Sequence, residues 1–561
     1  MTSIPNLPAR RGILDRLARN DRAITLLLLA VPLGMLALFF LYPLFGIIRR
    51  ALTGTEGLGF ENFARVASLP HIPQVVLNSV TVGLATTLIC ITLGFAIAFM
   101  LHRTRIPGKN LVRLALILPL LAPSLVQALG LIFMFGRNGL VNNWLGLNIQ
   151  IYGFWGLLLA NCMYALPQAV MIIEASLRRS DARIYEASLL MGASRWRRFI
   201  DITLPATKFG LISAAFVIFT VSITDFGNAA VIGGNFQVLA MEIYTQVVGQ
   251  MDFNMGAVVG IMLLLPTLLA VYIQRIANQR QFGGSSESAI PAQPDRVLSR
   301  DIPLAAVVYV AAGVVALVVA TVVFASFVRL WPYRMELTLA NYNISMAGGY
   351  SSLWSTLLIS FETALIGSVL LFMLALAQRE LSAGAARLVY FLAIVPVGVP
   401  GLVLGLSYVL SFNAPGPVLG ALYGSSFLIA ICNFYHYHSQ GFLTMVTGIR
   451  AVPQRLEETV LCLGGNNLHR LRDTILPFMA PTLVSVFFFL FMRAMVTLSA
   501  IIFLVSPQLS VAAVTVVRLD QAGRSTQAAA FSVCIMLSVL MAMLAMRLSM
   551  RLITRRAATA Q

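Results

Sequence analysis

Glu186-Ala187-Ser188, followed by Gly192 and Leu204-Pro205, returns later in the chain as Glu458-Thr459-Val460, Gly464 and Leu476-Pro477. In both copies the glycine stands six residues and the proline nineteen residues after the glutamate. The same offset of 272 also aligns Arg178 with Arg450, Arg183 with Arg455, Leu189 with Leu461, Arg198 with Arg470 and Asp201 with Asp473. One such segment alone reads equally well as an ordinary amphipathic loop. Two at identical spacing suit a transporter made of two membrane halves, both pushed by a motor outside the membrane.

The rest of the chain supplies those halves. Of 561 residues, 59% are hydrophobic and 11% charged, whereas about a quarter are charged in a typical soluble domain. Crossing a bilayer core takes roughly 20 apolar residues, and about twelve runs qualify, near 23–48, 75–101, 111–135, 152–175, 208–232, 255–276, 302–328, 354–377, 388–411, 419–441, 481–505 and 528–549. The first run is too long for the apolar region of a signal peptide and no small-residue cleavage site follows it, so it reads as a retained helix. The expected fold is all-α and polytopic, with two parallel six-helix units.

Arginine and lysine orient it. Arg10, Arg11, Arg16, Arg19 and Arg22, then Arg103, Arg105 and Lys109, then Arg178, Arg179, Arg183, Arg195, Arg197 and Arg198, and finally Arg551, Arg555 and Arg556 fall on one side of a twelve-span chain. That side is expected to be the cytoplasm of a bacterial inner membrane, with both termini inside. Arg49 and Arg50 lie at the opposite face, where long side chains snorkel to headgroups. The net charge of +18 then reflects topology and contact with anionic lipid, not nucleic-acid binding. Cys90, Cys162, Cys432, Cys462 and Cys534 show no CxxC spacing, which argues against a disulfide framework or a zinc site. No cofactor or metal is expected.

The expected organisation is a basic N-terminus (1–22), a first unit (23–277), a Gly/Ser/Pro-rich linker (278–301), a second unit (302–550) and a tail (551–561). The repeated segments fall near 178–206 and 450–478, between the fourth and fifth spans of each unit. Ser180 or Asp181 is placed to cap a helix through Glu186, Gly192 to turn the chain, and Pro205 to open the next span after a short helix from Trp196 to Ile202.

These segments resemble the EAA loop of binding-protein-dependent ABC importer permeases: E-A-A, three residues, G, nine residues, I-x-L-P. The first copy departs only at Ser188; the second has Thr459 and Val460 for the alanines and Thr474 for the isoleucine. The resemblance implies that Glu186, Ala187, Gly192, Leu204 and Pro205, with Glu458, Gly464, Leu476 and Pro477, dock on a separate ATPase, in two copies, and that a periplasmic binding protein delivers substrate to the outer loops. Those loops lie near 51–74, 233–254, 329–353 and 506–527, and exposed Trp331, Tyr333 and Tyr350 are candidate contacts. Lys109 and Lys208 are the only lysines and neither ends a phosphate-binding glycine loop, so ATP hydrolysis is assigned to the partner. A finer resemblance, in Thr224-Asp225-Phe226-Gly227-Asn228, Gly233-Gly234-Asn235-Phe236 and Thr497-Leu498-Ser499-Ala500, points to fused 2-aminoethylphosphonate permeases, with ferric-iron permeases as close relatives.

Ionisable and amide groups at membrane depth mark wet paths or interhelical bonds. The candidates are Asn161 and its offset partner Asn433, Asp225, Asn228, Glu362, His436 and Arg493. Arg493 offers a fork of donors to phosphonate oxygens; its alternative is an ion pair with Asp225 or Glu362. Asp225 is alternatively a backbone cap, and Ser222, Asp225 and Asn228 share one face if the helix persists. An ion-coupled secondary transporter using Asp225 and Glu362 would explain twelve spans but not the duplicated Glu-Gly-Leu-Pro segments. A metal enzyme built on His436, His438 and Glu362 is weaker, because residues two apart on a helix face different ways.

Overall fold

The computed structural model describes residues 21–55, 57–178, 180–283, 294, 296–345, 348–413 and 420–559. Arg10, Arg11, Arg16, Arg19, Arg179 and residues 284–293 and 295 of the expected linker lie outside them. Among the described residues nine continuous helices are long and apolar enough to cross a bilayer, and two more spans are helix pairs bent by 108° and 100°. The first six are α1 (Leu26–Leu52), α2 (Ile72–Arg103), α3 (Lys109–Leu121 with Leu125–Leu145), α4 (Phe154–Leu177), α5 (Arg195–Thr224) and α6 (Phe253–Ala277). The second set is α7 (Leu298–Ser326), α8 (Gly349–Glu380), α9 (Ala383–Gly398 with Gly401–Phe412), α10 (Ser426–Arg450), α11 (Asn467–Val496) and α12 (Ser525–Arg555). The chain is an all-α polytopic protein of two repeats.

The structure adds three details to the expectation of about twelve spans. First, the runs 111–135 and 388–411 are bent pairs, and proline explains both. Pro119 and Pro123 in α3 match Pro396 and Pro400 in α9, each pair bracketing a 3-10 turn followed by an extended residue, Ala122 or Val399. A ring without an N–H cannot continue the ladder, and it pushes the preceding residue out of the helical region. Second, α10 is 25 residues long, about 37 Å at 1.5 Å per residue, yet it falls outside the nine apolar helices. Asn433, His436, His438, Ser439 and Gln440 lower its hydropathy, and most of the helix is buried against protein instead of lipid. Third, α5 and α11 stop short of the expected 232 and 505, at Thr224 and Val496.

The repeats share smaller details. After the first helix of each unit comes a short antiparallel hairpin, β1 (Thr53–Gly54) with β2 (Gly57–Leu58) and β3 (Val328–Leu330) with β4 (Arg334–Leu337). A buried asparagine ties each hairpin to the end of its helix: Asn62 donates to the carbonyls of Ala51 (3.1 Å) and Thr53 (2.9 Å), and Asn341 to those of Ser326 (3.0 Å) and Val328 (2.7 Å). Backbone acceptors freed at a helix end are thereby satisfied.

First helices are exchanged between units. α1 packs on α8 and α9 of the second unit, and α7 on α2 and α3 of the first. Phe39 stacks on Phe412 at 5.7 Å and its carbonyl accepts the Tyr408 hydroxyl. On the other side Tyr309 donates to the Pro107 carbonyl, and Trp331 packs on Phe133 at 5.3 Å while its indole donates to the Phe133 carbonyl at 3.1 Å. Trp331, expected at the surface, is therefore half-buried between the units; Tyr333 and Tyr350 remain exposed.

Candidate functional site: two exposed segments and a central crossing

The first repeated segment forms the helix Ala182–Leu190, capped by Asp181, whose carboxylate accepts the Arg183 amide at 3.0 Å. Gly192 follows at φ +74°, the Arg195–Arg198 turn is capped by Ser194, and a π-helical turn at Phe199–Thr203 leads into the Pro205 helix. The second copy repeats this with the helix Gln454–Cys462, Gly464 at φ +82°, a cap at Asn466 and a π-helical turn at Arg470–Ile475 before Pro477. Left-handed backbone is costly for a residue with a side chain, which accounts for both glycines.

Glu186, Ala187 and Glu458 are exposed, as are Pro205, Leu476 and Pro477, while Leu204 is half-buried. Around them stand bare apolar side chains: Leu190 is 89% exposed, Trp196 70% and Leu463 83%, with Ile184, Leu189, Met191 and Leu468 also uncovered. Apolar knobs clustered among polar groups mark a surface that meets another protein.

Behind each knob lies an anchor the motif did not reveal. Tyr185 holds the first: its hydroxyl bonds the Thr203 hydroxyl at 3.0 Å, and the buried Arg103 guanidinium lies 4.4 Å from its ring centroid. At the matching place in the second stands Glu457, buried and ion-paired with Arg379 at 2.7 Å and Arg470 at 3.8 Å, with Arg470 also bridging to Glu380 at 2.9 Å. The matched Glu186 and Glu458 had drawn attention to the exposed neighbours instead.

At the centre, interrupted helices meet. A Cβ on Gly227, just past the end of α5, would fall 2.3 Å from the Ser124 hydroxyl at the α3 bend and 3.4 Å from Leu498 at the end of α11. A Cβ on Gly401, at the α9 bend, would fall 2.4 Å from the Ser499 hydroxyl and 3.1 Å from His436. Small residue and hydroxyl have changed places between the halves. Non-helical backbone at membrane depth survives where protein or a water-filled path covers it, and broken helices meeting at a repeat interface are the usual setting of a transporter's substrate site.

The path candidates separate here. Asn161 donates to the Ser222 hydroxyl (3.0 Å) and accepts from Asn228 (3.1 Å), while Ser222 donates to Thr86 (3.1 Å). This is the interhelical bonding reading. Asn433 is fully buried and neither of its amide atoms has a partner, because Ala494 and Ala500 stand where the first unit has Ser222 and Asn228. Asp225 is not on a continuing helix face with Ser222 and Asn228. It ends α5 in extended conformation and its carboxylate accepts the Asn228 amide at 2.9 Å, the capping role. Glu362 accepts from Ser426 at 3.1 Å and lies apart from Arg493. Arg493 forms no ion pair with either acid. It lies 5.1 Å from the Tyr437 ring centroid with Tyr164 of the first unit in hydrogen-bonding reach, and its Nε is unpartnered. His436 sits beside this group with Nδ1 unpartnered, whereas His438 turns away to the Ala393 carbonyl at 3.0 Å.

Residues 90–283, from within α2 past the end of α6, match the family described as the binding-protein-dependent transport system inner membrane component. Over 94% of its length the chain is 28% identical to the ferric transport system permease protein FbpB of Actinobacillus pleuropneumoniae, covering 78% of that protein. The first unit of the chain carries a segment that matches this family of permeases. Two other similarities reach one unit of the permease or less. PhnU of Salmonella choleraesuis, named for 2-aminoethylphosphonate transport, is 26% identical over 48% of the permease and 96% of its own length. The molybdenum transport system permease protein ModB of Escherichia coli is 29% identical over 37% of the permease and 95% of itself. The chain is thus a multi-pass membrane protein of two fused units, similar to inner membrane transport permeases.

Proposed function

We propose that the permease forms the translocation path of an ATP-driven importer. Two ATPase subunits would seat on Ala182–Leu190 and Gln454–Cys462, and a periplasmic binding protein would seat at the opposite face, with both termini cytoplasmic. The observation that carries this reading is the pair of capped, glycine-turned segments with bare apolar knobs, one per unit, each leading through a π-helical turn into a membrane helix. A push on such a knob passes directly into α5 or α11, and rigid-body movement of one half against the other gives alternating access. On the outer side, Arg65 and Asp252 join two of the expected docking loops by an ion pair of 3.2 Å.

For the cargo we propose 2-aminoethylphosphonate, supported by the unpaired Arg493 between the halves. Ferric iron is the second reading, favoured by the named relatives that match along nearly the whole chain. The test is uptake into proteoliposomes holding the permease, its co-purifying ATPase and its binding protein, with ATP on the ATPase side. ATP-dependent uptake of labelled phosphonate supports both parts. Iron uptake replaces the cargo alone, and uptake driven by an ion gradient without ATP overturns the importer reading.

A further inference from the structure

The halves break their own symmetry at two charged positions. Val221 occupies the place of Arg493 in the first unit, and Thr497 the place of Asp225 in the second. Each half therefore contributes one charge that the other lacks, both beside the central breaks. Asp225 caps the break after α5, Gly227 two residues on approaches Leu498, and Arg493 lies one turn before Thr497, whose hydroxyl donates to its carbonyl at 2.7 Å and accepts from the Tyr437 hydroxyl at 3.0 Å. Tyr164 lies near both and within hydrogen-bonding reach of Arg493. Were the two groups a structural pair, closing them into contact would offset the cost of holding each at membrane depth. Instead the guanidinium has tyrosines for neighbours and an unpartnered Nε, and the carboxylate is turned to the Asn228 amide and Ser124.

We infer that Arg493 and Asp225 are the two poles of a binding station for a small zwitterion, which sets its oxyanion on Arg493 and its ammonium toward Asp225 across Tyr164. A molecule with opposite charges a few bonds apart satisfies both groups at once and joins the halves; a simple anion satisfies one. His436, Tyr437 and Ser499 supply neutral donors around the oxyanion pole. The station rests on the phosphonate reading above and narrows it to a substrate class defined by both charges.

The test uses the permease with its ATPase in nanodiscs, without binding protein, so that the station alone selects. Three labelled probes are compared: 2-aminoethylphosphonate, ethylphosphonate, which lacks the ammonium, and ethylamine, which lacks the oxyanion. The expected result is a preference of about tenfold or more for the zwitterion over ethylphosphonate, the effect of one added charge contact. Asp225→Asn should abolish the preference of the zwitterion over ethylphosphonate. Arg493→Gln should weaken both phosphonates, and Arg493→Lys should restore part of the loss. Equal binding of the two phosphonates by the native protein overturns the station, as does an Asp225→Asn variant that weakens both equally. The native-protein comparison decides even if a variant fails to fold. ATPase stimulation by the binding protein, measured in parallel, reports on the importer reading separately.

Discussion

Behind Ala182–Leu190 an arginine rests on an aromatic face and a hydroxyl meets a hydroxyl; behind Gln454–Cys462 two arginines converge on a buried carboxylate that is tied to a second acid. The outer faces are alike, with the same turn, the same cap position and the same entry into a membrane helix. Under the proposed docking, a surface that fits two copies of one partner is constrained by shape, whereas its support has only to be stiff, and stiffness has more than one chemical solution. The ionic solution is the more fragile. A buried pair contributes little net stability against a well-packed apolar alternative, yet losing one member strands the other.

The largest effect is therefore expected from Glu457→Gln, which leaves Arg379 and Arg470 without their shared carboxylate. A local loss of about 3 kcal/mol should appear as faster amide exchange across Gln454–Cys462, with Ala182–Leu190 unchanged. Equal loosening of both segments would show that the supports are not independent. Gly192→Val and Gly464→Val should cost alike, about 1–2 kcal/mol for forcing a branched residue into left-handed backbone, since a side chain at either site meets open space. Thermal unfolding of the two variants checks this, and unequal losses would break the equivalence of the turns. Tyr185→Phe removes one hydroxyl bond and keeps the cation over the ring, so about 1 kcal/mol or less is expected, again read by exchange. Smallest in stability are Glu186→Lys and Glu458→Lys, both at exposed positions and expected within about 0.5 kcal/mol of the parent. Their effect should instead be loss of binding-protein-stimulated ATPase activity in the assembled complex; full stimulation in either would remove that glutamate from the docking surface.

Much of this architecture was legible because spacing is a direct print of geometry. The Glu-Gly-Pro interval encodes a helix, a turn and a helix start, and the structure has them in that order. The bends of α3 and α9 were equally written, in Pro119 and Pro123 against Pro396 and Pro400, but at an offset of 277 instead of 272. The stretch from the second proline of the bend to the start of the fourth helix is shorter in the second unit, Pro400 to Ser426 against Pro123 to Phe154, and a single offset cannot align both sides of it. The ends of α5 and α11 left no such print. Asp225 and Thr497 interrupt runs that stay apolar on both sides, and hydropathy is blind to a backbone stop that tertiary packing makes tolerable. Glu457 leaves no print in the repeat, because identity between the copies marks the exposed Glu186 and Glu458, while the buried support is tyrosine in one copy and glutamate in the other.

The exchanged first helices bear on why the two units are one chain at all. Each unit clasps the other with α1 or α7, so a unit by itself would leave an apolar groove on α2 and α3, or on α8 and α9, and a first helix packed on one side only. Two separately made units carrying these helices would still find only one complementary arrangement. The covalent join then raises the concentration of each half near the other and fixes their one-to-one ratio, without drawing the interface. It also lets the halves diverge: once each is guaranteed an unlike partner, a charge can be placed on one side alone, which two copies of a single unit could never do.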